Sequence, residues 1–311
     1  MKLNAFQKTA ITTVAATLFL ILVGGLVRAA GAGLGCPDWP KCFGMWIPPT
    51  TLADLPAGFD ESQFNVWKTW IEYVNRLVGV VIGLLITATC VLSIRYRKEK
   101  PTVFYSSVAA FVLVLFQGWL GGVVVKTGLH AGMITAHMLV AMVIVTVLLY
   151  ATFEATSDLF KIRIEESFRK KMIWTFWVLF GLTIIQLVLG TQVREAIDVI
   201  KNTPFVPPRG TWLENIKGIF PIHRSFSWLL VIAAGWVFYL MRKENAEGWV
   251  KTLGDLNVAL VFVQVFIGIG LNYLAMPRVL QVLHIVGVAV MVCTQFLMIL
   301  ILRRGAVTNN D

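Results

Sequence analysis

Eight stretches of about 20 mostly apolar residues, the length that crosses a bilayer core, run through this chain of 311 residues. They lie at roughly 8–30, 68–94, 103–126, 133–153, 172–193, 220–241, 252–274 and 279–302. The backbone of such segments must satisfy its own hydrogen bonds in lipid, which predicts an all-α integral membrane protein. Composition agrees. Apolar residues make up 57% of the chain and charged residues 14%, against about 45–50% and about 25% in soluble domains. A water-soluble globular enzyme, a disordered chain and a nucleic-acid-binding module are excluded. The first stretch reads as a span rather than a signal peptide: it is long, and Gly24, Gly25 and Arg28 lead into a loop with no small-residue cleavage pattern.

The formal charge of +10 is distributed as loops of a membrane protein distribute it. Sixteen Lys and Arg fall on one side of the membrane: Lys2, Lys8, Arg95, Arg97, Lys98, Lys100, Lys161, Arg163, Arg169, Lys170, Lys171, Arg242, Lys243, Lys251, Arg303 and Arg304. Nine fall on the other. The richer side is expected to be cytoplasmic. Both termini then lie inside, in a bacterial-type cell membrane, and the long loops 31–67 and 194–219 face outside.

The two halves repeat each other. Gln117, Gly121 and His137 match Gln264, Gly268 and His284 at an offset of 147. Asn75-Arg76 matches His223-Arg224 at an offset of 148, and Gly24 and Arg28 match Gly190 and Arg194. Each half holds four spans, an even number, so both cross the membrane in the same sense. This predicts two parallel four-helix bundles with a pseudo-two-fold axis along the membrane normal. The expected division is 1–154, a cytoplasmic linker 155–171 and 172–311.

Only four histidines are present, and three occupy repeat-related positions: His137, His223 and His284. His223 and His284 stand at similar depth in spans 6 and 8, suited to bis-His ligation of a haem between facing helices; buried histidines bonded across helices are the alternative. In the first half His137 has Asn75 in place of a partner histidine. That half also carries Glu72, aligned with Phe220 of the other half and three residues from Asn75 on one helix face. A carboxylate inside a span is costly and points to chemistry, with a Glu72–Arg76 pair as the structural alternative. His130, in the turn before span 4, reads as a loop residue or a substitute ligand. Arg28, Arg76, Arg194 and Arg224 cluster at outer span ends, where they either bind carboxylates such as haem propionates or snorkel to the interface. Cys36 and Cys42 share an outer loop suited to a disulfide. Its chain-entropy value is about 2–2.5 kcal/mol, and a staple and a redox role both remain open. Cys90 and Cys293 lie within spans as small apolar residues.

Several pieces together resemble the haem A synthase family: Gly24-Gly25-Leu26-Val27-Arg28, Gly35-Cys36-Pro37-Asp38-Trp39-Pro40, Glu72-Tyr73-Val74-Asn75-Arg76, Thr135-Ala136-His137, Gly190-Thr191-Gln192-Val193-Arg194-Glu195 and His223-Arg224. The resemblance implies oxidation of a ring methyl of haem O to the formyl group of haem A, through an alcohol, for terminal cytochrome oxidases. It implies haem b on His223 and His284, and a substrate pocket in the N-terminal bundle with His137 and the motif Glu72, Asn75, Arg76. It matches Cys36 and Cys42 to the family's outer-loop cysteine pair. A second pair carried by some members is absent, since 194–219 holds no Cys. The family places a histidine where Asn75 stands. The readings are a single-ligand iron with an open face, substitution by His130, or altered activity. Haem O synthase and cytochrome oxidase assembly are the implied partners, alongside membrane lipid; a homo-oligomer is left open. The competing functions are a b-type cytochrome passing electrons and a transporter with parallel repeats. The transporter fits less well, because the ionisable residues lie in the outer third of the spans rather than at the midplane.

Overall fold

The computed structural model describes residues 3–160, 162–201 and 203–308. Eight helices account for nearly all of it: α1 (Ala5–Ala30), α2 (Val66–Ser93), α3 (Pro101–Lys126), α4 (Ala131–Thr156), α5 (Glu166–Lys201), α6 (Ile219–Lys243), α7 (Gly248–Tyr273) and α8 (Arg278–Arg304). All eight are long and apolar enough to cross a membrane. The protein is an all-α, multi-pass integral membrane protein. Its only strands among the described residues are β1 (Arg163–Glu165) and β2 (Ala306–Thr308), which pair in parallel.

Local chemistry sets the helix ends. At α1 the Asn4 side chain accepts from the Gln7 N–H and the Gln7 side chain accepts from the Asn4 N–H, a reciprocal capping box. Gly31, at φ 68°, ends the same helix in the left-handed conformation. Asn65 caps α2 through the Lys68 N–H, and α3 opens on Pro101. Each expected span is found, though α5 begins at Glu166, inside the expected linker, and also ends later than expected. The helix α5 has 36 residues and runs on to Lys201, so Arg194 stands on a helix and not in the loop where the sequence puts it. Pairing of Arg194 with Asp198 one turn later supports the extension. Of the basic residues used for orientation, Lys2 and Lys161 lie outside the described residues.

The chain divides into two compact units, 1–151 and 152–311. In the N-terminal unit α1 packs along α2, and α2 along α3. Ile82, Ile86, Ala110, Ile144 and Leu148 form its apolar centre, so α4 joins that core through its side chains. In the C-terminal unit α5 meets α6, α6 meets α7, α7 meets α8, and α8 returns to α5. With apolar surface on nearly every face, hydrophobicity alone does not choose which side of a helix turns inward. Interhelical polar contacts help choose, as expected in lipid: Thr13 with Thr89 at 2.9 Å, Gln295 with Thr183 at 3.0 Å and Thr294 with Asn257 at 3.0 Å.

Candidate functional site

In the C-terminal unit His223 lies one turn into α6 and His284 nearly two turns into α8. Their ring centres are 6.4 Å apart, with planes crossed at 76°. Each Nδ1 is buried and, among the described residues, has no hydrogen-bond partner. Two metal–imidazole bonds of ~2 Å plus the distance from each nitrogen to its ring centre come to roughly 6.3 Å, so the spacing suits one iron between the rings. No cluster of three or more His, Cys, Asp or Glu able to hold a bare metal ion occurs among the described residues. A haem needs only two protein ligands, and the donor set fits that group.

The helix preceding each candidate ligand makes room for it. A Cβ placed on Gly190 of α5 would lie 3.3 Å from Cε1 of His223, and one on Gly268 of α7 would lie 4.0 Å from Cε1 of His284. The N-terminal unit repeats the device. Gly121 of α3 faces Cε1 of His137 at 3.4 Å, and Gly24 of α1 faces Oδ1 of Asn75 at 3.9 Å. Nδ1 of His137 and Oδ1 of Asn75 are both buried and without a partner among the described residues. Asn75 therefore occupies the place that His223 occupies in the other unit.

Two glutamines steady the ligand-bearing turns. The Gln117 side chain donates to the backbone carbonyl of His137 at 2.9 Å, and that of Gln186 to the carbonyl of His223 at 3.0 Å. Gln264, the repeat partner of Gln117, lies tightly against Gly287 of α8. Sequence reasoning uses Gln117, Gln264 and the four glycines only as markers of the repeat. Their positions one helix before each candidate ligand are the signal that could have marked them. Gln186 was missed, because its place in the first half holds Leu20, four residues before Gly24.

Glu72 and Arg76 are brought together, but toward the loop. The Glu72 carboxylate accepts from Arg76 at 2.6 Å and from the Cys36 N–H at 3.0 Å. The Arg76 guanidinium also donates to the carbonyls of Asp38 and Lys41 at 2.8 Å and of Cys36 at 3.2 Å. Four of its five N–H groups are thereby engaged, and the expected propionate role does not match this geometry. One turn earlier, Thr69 donates to the Gly35 carbonyl at 2.8 Å. Cys36 and Cys42 form a disulfide; with Phe43 they make a small core against Leu55, Phe59, Phe64 and Tyr73. Cys90 is half-buried and Cys293 buried, both as free thiols.

Of the other arginines, Arg194 donates to Gln281 at 2.6 Å and pairs with Asp198 at 3.3 Å. Gln281 stands three residues before His284, so Arg194 lies beside the histidine pair. Arg224 is exposed and its guanidinium lies over the Phe220 ring. Arg28 is half-buried in the last turn of α1. Arg209, not singled out in the sequence, donates to the Met276 carbonyl. Partial burial and, to a lesser degree, its neighbours Arg278 and Arg194 lower its affinity for a proton. His130 precedes α4, where its carbonyl accepts from Met133 and Ile134 and its ring lies by Gly132.

Comparison with known proteins joins this geometry to a lineage. The family described as cytochrome oxidase assembly protein (COX15-CtaA) matches residues 7–296. The chain belongs to this family. A heme A synthase of Shewanella oneidensis is 25% identical, over 91% of this chain and 92% of its own length. One from Caulobacter vibrioides is 25% identical over 89% and 90%. One from Geobacillus kaustophilus is 33% identical over 38% of this chain and 32% of its own. The four glycines and three histidines of the site all lie inside the family match.

Proposed function

We propose that this protein is a haem A synthase, oxidising a ring methyl of haem O to a formyl group through the alcohol, in the biogenesis of terminal cytochrome oxidase. One observation carries the reading: a pair of histidines 6.4 Å apart in one unit is answered, at the repeat-related place in the other, by one histidine and an asparagine. His223 and His284 would hold haem b from both sides. When bound, that group supplies one-electron transfer. His137 would hold the substrate iron from one side, while Asn75 presents an amide, a poor iron ligand, at the second position. Glu72 is the catalytic carboxylate of this reading, three residues from Asn75 on one face of α2. Its bonds to Arg76 and the Cys36 N–H fix its orientation. Arg28, Arg194 and Arg224 are the propionate anchors, with Arg209 added to the positive field around Arg194.

The excess of Lys and Arg on one side supports a reading with both termini in the cytoplasm. The disulfide loop then faces the outside, where a disulfide persists. A haem O synthase supplies the substrate, and an oxidase takes the product. Extraction of pigments from cells expressing this chain with a haem O synthase tests the proposal. Haem A is the expected product. Bound haem b with no haem A would instead make the protein an electron-carrying b-type cytochrome.

A further inference from the structure

The loop bearing the disulfide is fixed at three points on the N-terminal unit. Gly33 lies against the side chain of Leu129, in the turn between α3 and α4, where an added Cβ would come to 3.2 Å. Gly35 lies on the backbone of Lys68 and Thr69 so closely that an added Cβ would come within 2.2 Å of the Lys68 carbonyl oxygen. Trp39 lies on α3, its indole 2.9 Å from where a Cβ of Gly122 would be. Thr69, Glu72 and Arg76, at i, i+3 and i+7 on one face of α2, then bond the loop backbone. A surface loop with no further task does not need an ion pair, a hydroxyl and three glycine contacts to hold it still.

What this fixture holds in place is the indole of Trp39. Gly122, beneath it, directly follows Gly121, which faces His137. Consecutive Cα atoms are ~3.8 Å apart, and successive residues of a helix point about 100° apart. Trp39 and the His137 imidazole therefore sit on adjoining faces of the same turn of α3. The indole packs on Gly122, and Trp39 as a residue is still 39% exposed. A flat aromatic ring with one face supported and part of its surface free is suited to contact a planar aromatic macrocycle.

We propose that Trp39 is a substrate-contacting wall of the N-terminal pocket, and that the Cys36–Cys42 loop with its Thr69, Glu72 and Arg76 clamp is the mount that positions it. The inference rests on the reading of that pocket as the haem O site, and the test separates the two. Full-length protein is produced with a haem O synthase and purified, and haem retained per chain is measured with the His137→Ala variant as reference for the N-terminal site. Trp39→Ala is expected to cut His137-dependent haem about tenfold, on the scale of one lost aromatic contact. Haem b on His223 and His284 should stay whole. Trp39→Phe should restore most of the retention. Gly122→Ala displaces the indole without altering the loop sequence and should reproduce the loss; it also serves if Trp39→Ala does not fold. Retention equal to the parent in both Trp39→Ala and Gly122→Ala overturns the wall. A parent with no His137-dependent haem overturns the pocket itself, and the wall with it.

Discussion

The two units solve one problem in two ways. Each sets a glycine opposite each of its two ligand positions and steadies a histidine-bearing turn with a glutamine. The C-terminal unit fills both positions with histidine and has a phenylalanine, Phe220, where the other has Glu72. The N-terminal unit gives up one histidine for Asn75, gains a carboxylate, and receives a disulfide loop clamped over its end. Saturated ligation suits a resident group that only exchanges electrons. An incomplete ligand set beside a carboxylate and a closed loop suits a group that must react and leave. Under the proposed function, a duplicated bundle would separate storage from chemistry by a handful of side chains.

The comparison breaks most visibly at the histidine pair. Replacing either His223 or His284 by Ala should abolish the low-spin b-type spectrum of the purified protein. An intact spectrum in both variants removes the pair as axial ligands. Next in size is Glu72→Gln, which should lower haem A formation by about 10²–10⁴, the range of general acid–base help, while haem b remains. A yield equal to the parent's removes the catalytic claim. Asn75→His tests the asymmetry directly. It should give the N-terminal unit a second low-spin, bis-His signature and reduce turnover; an unchanged spectrum with substrate bound means that the Asn75 position does not face the iron.

Finer effects follow from the glycine contacts. Gly190→Ala brings a Cβ to 3.3 Å from His223, whereas Gly268→Ala leaves 4.0 Å to His284. The first should shift the haem b spectrum and the second should not, as read by electron paramagnetic resonance. Smallest is Gln186→Leu, which removes one interhelical hydrogen bond worth about 0.6 kcal/mol in membrane proteins. Only a modest loss of thermal stability is expected, alongside an intact haem b band.

The spans and the pairing of His223 with His284 were legible in the sequence for physical reasons. A bilayer demands long apolar runs, and histidine is so scarce here that its placement at repeat-related positions carries information. The end of α5 was not legible. Arg194, Glu195, Asp198 and Lys201 look like a solvated loop, and it takes the turn-spaced pairing of Asp198 with Arg194 and Lys201 to show a helix continuing past its apolar part. The orientation of Arg76 was hidden for another reason. Its partners are the carbonyls of Cys36, Asp38 and Lys41, and a backbone carbonyl leaves no mark in a sequence. The contact of Trp39 with Gly122 was equally invisible, since it joins residues from two distant segments through shape alone.

The short ribbon of β1 and β2 lies at the far end of the helix that carries His284. It joins the residues after α8 to those before α5, in the register Arg163 to Ala306 and Glu165 to Thr308, and Arg304 bonds Glu154 beside it. Helices in lipid have few directional contacts to stop one sliding along another. A slip of α8 by a single turn would carry His284 ~5.4 Å along its axis, close to the whole 6.4 Å that separates it from the His223 ring. With the Gln295–Thr183 and Thr294–Asn257 contacts along α8, the ribbon resists such a slip: six residues at one end of the unit help hold the depth at which His284 stands at the other.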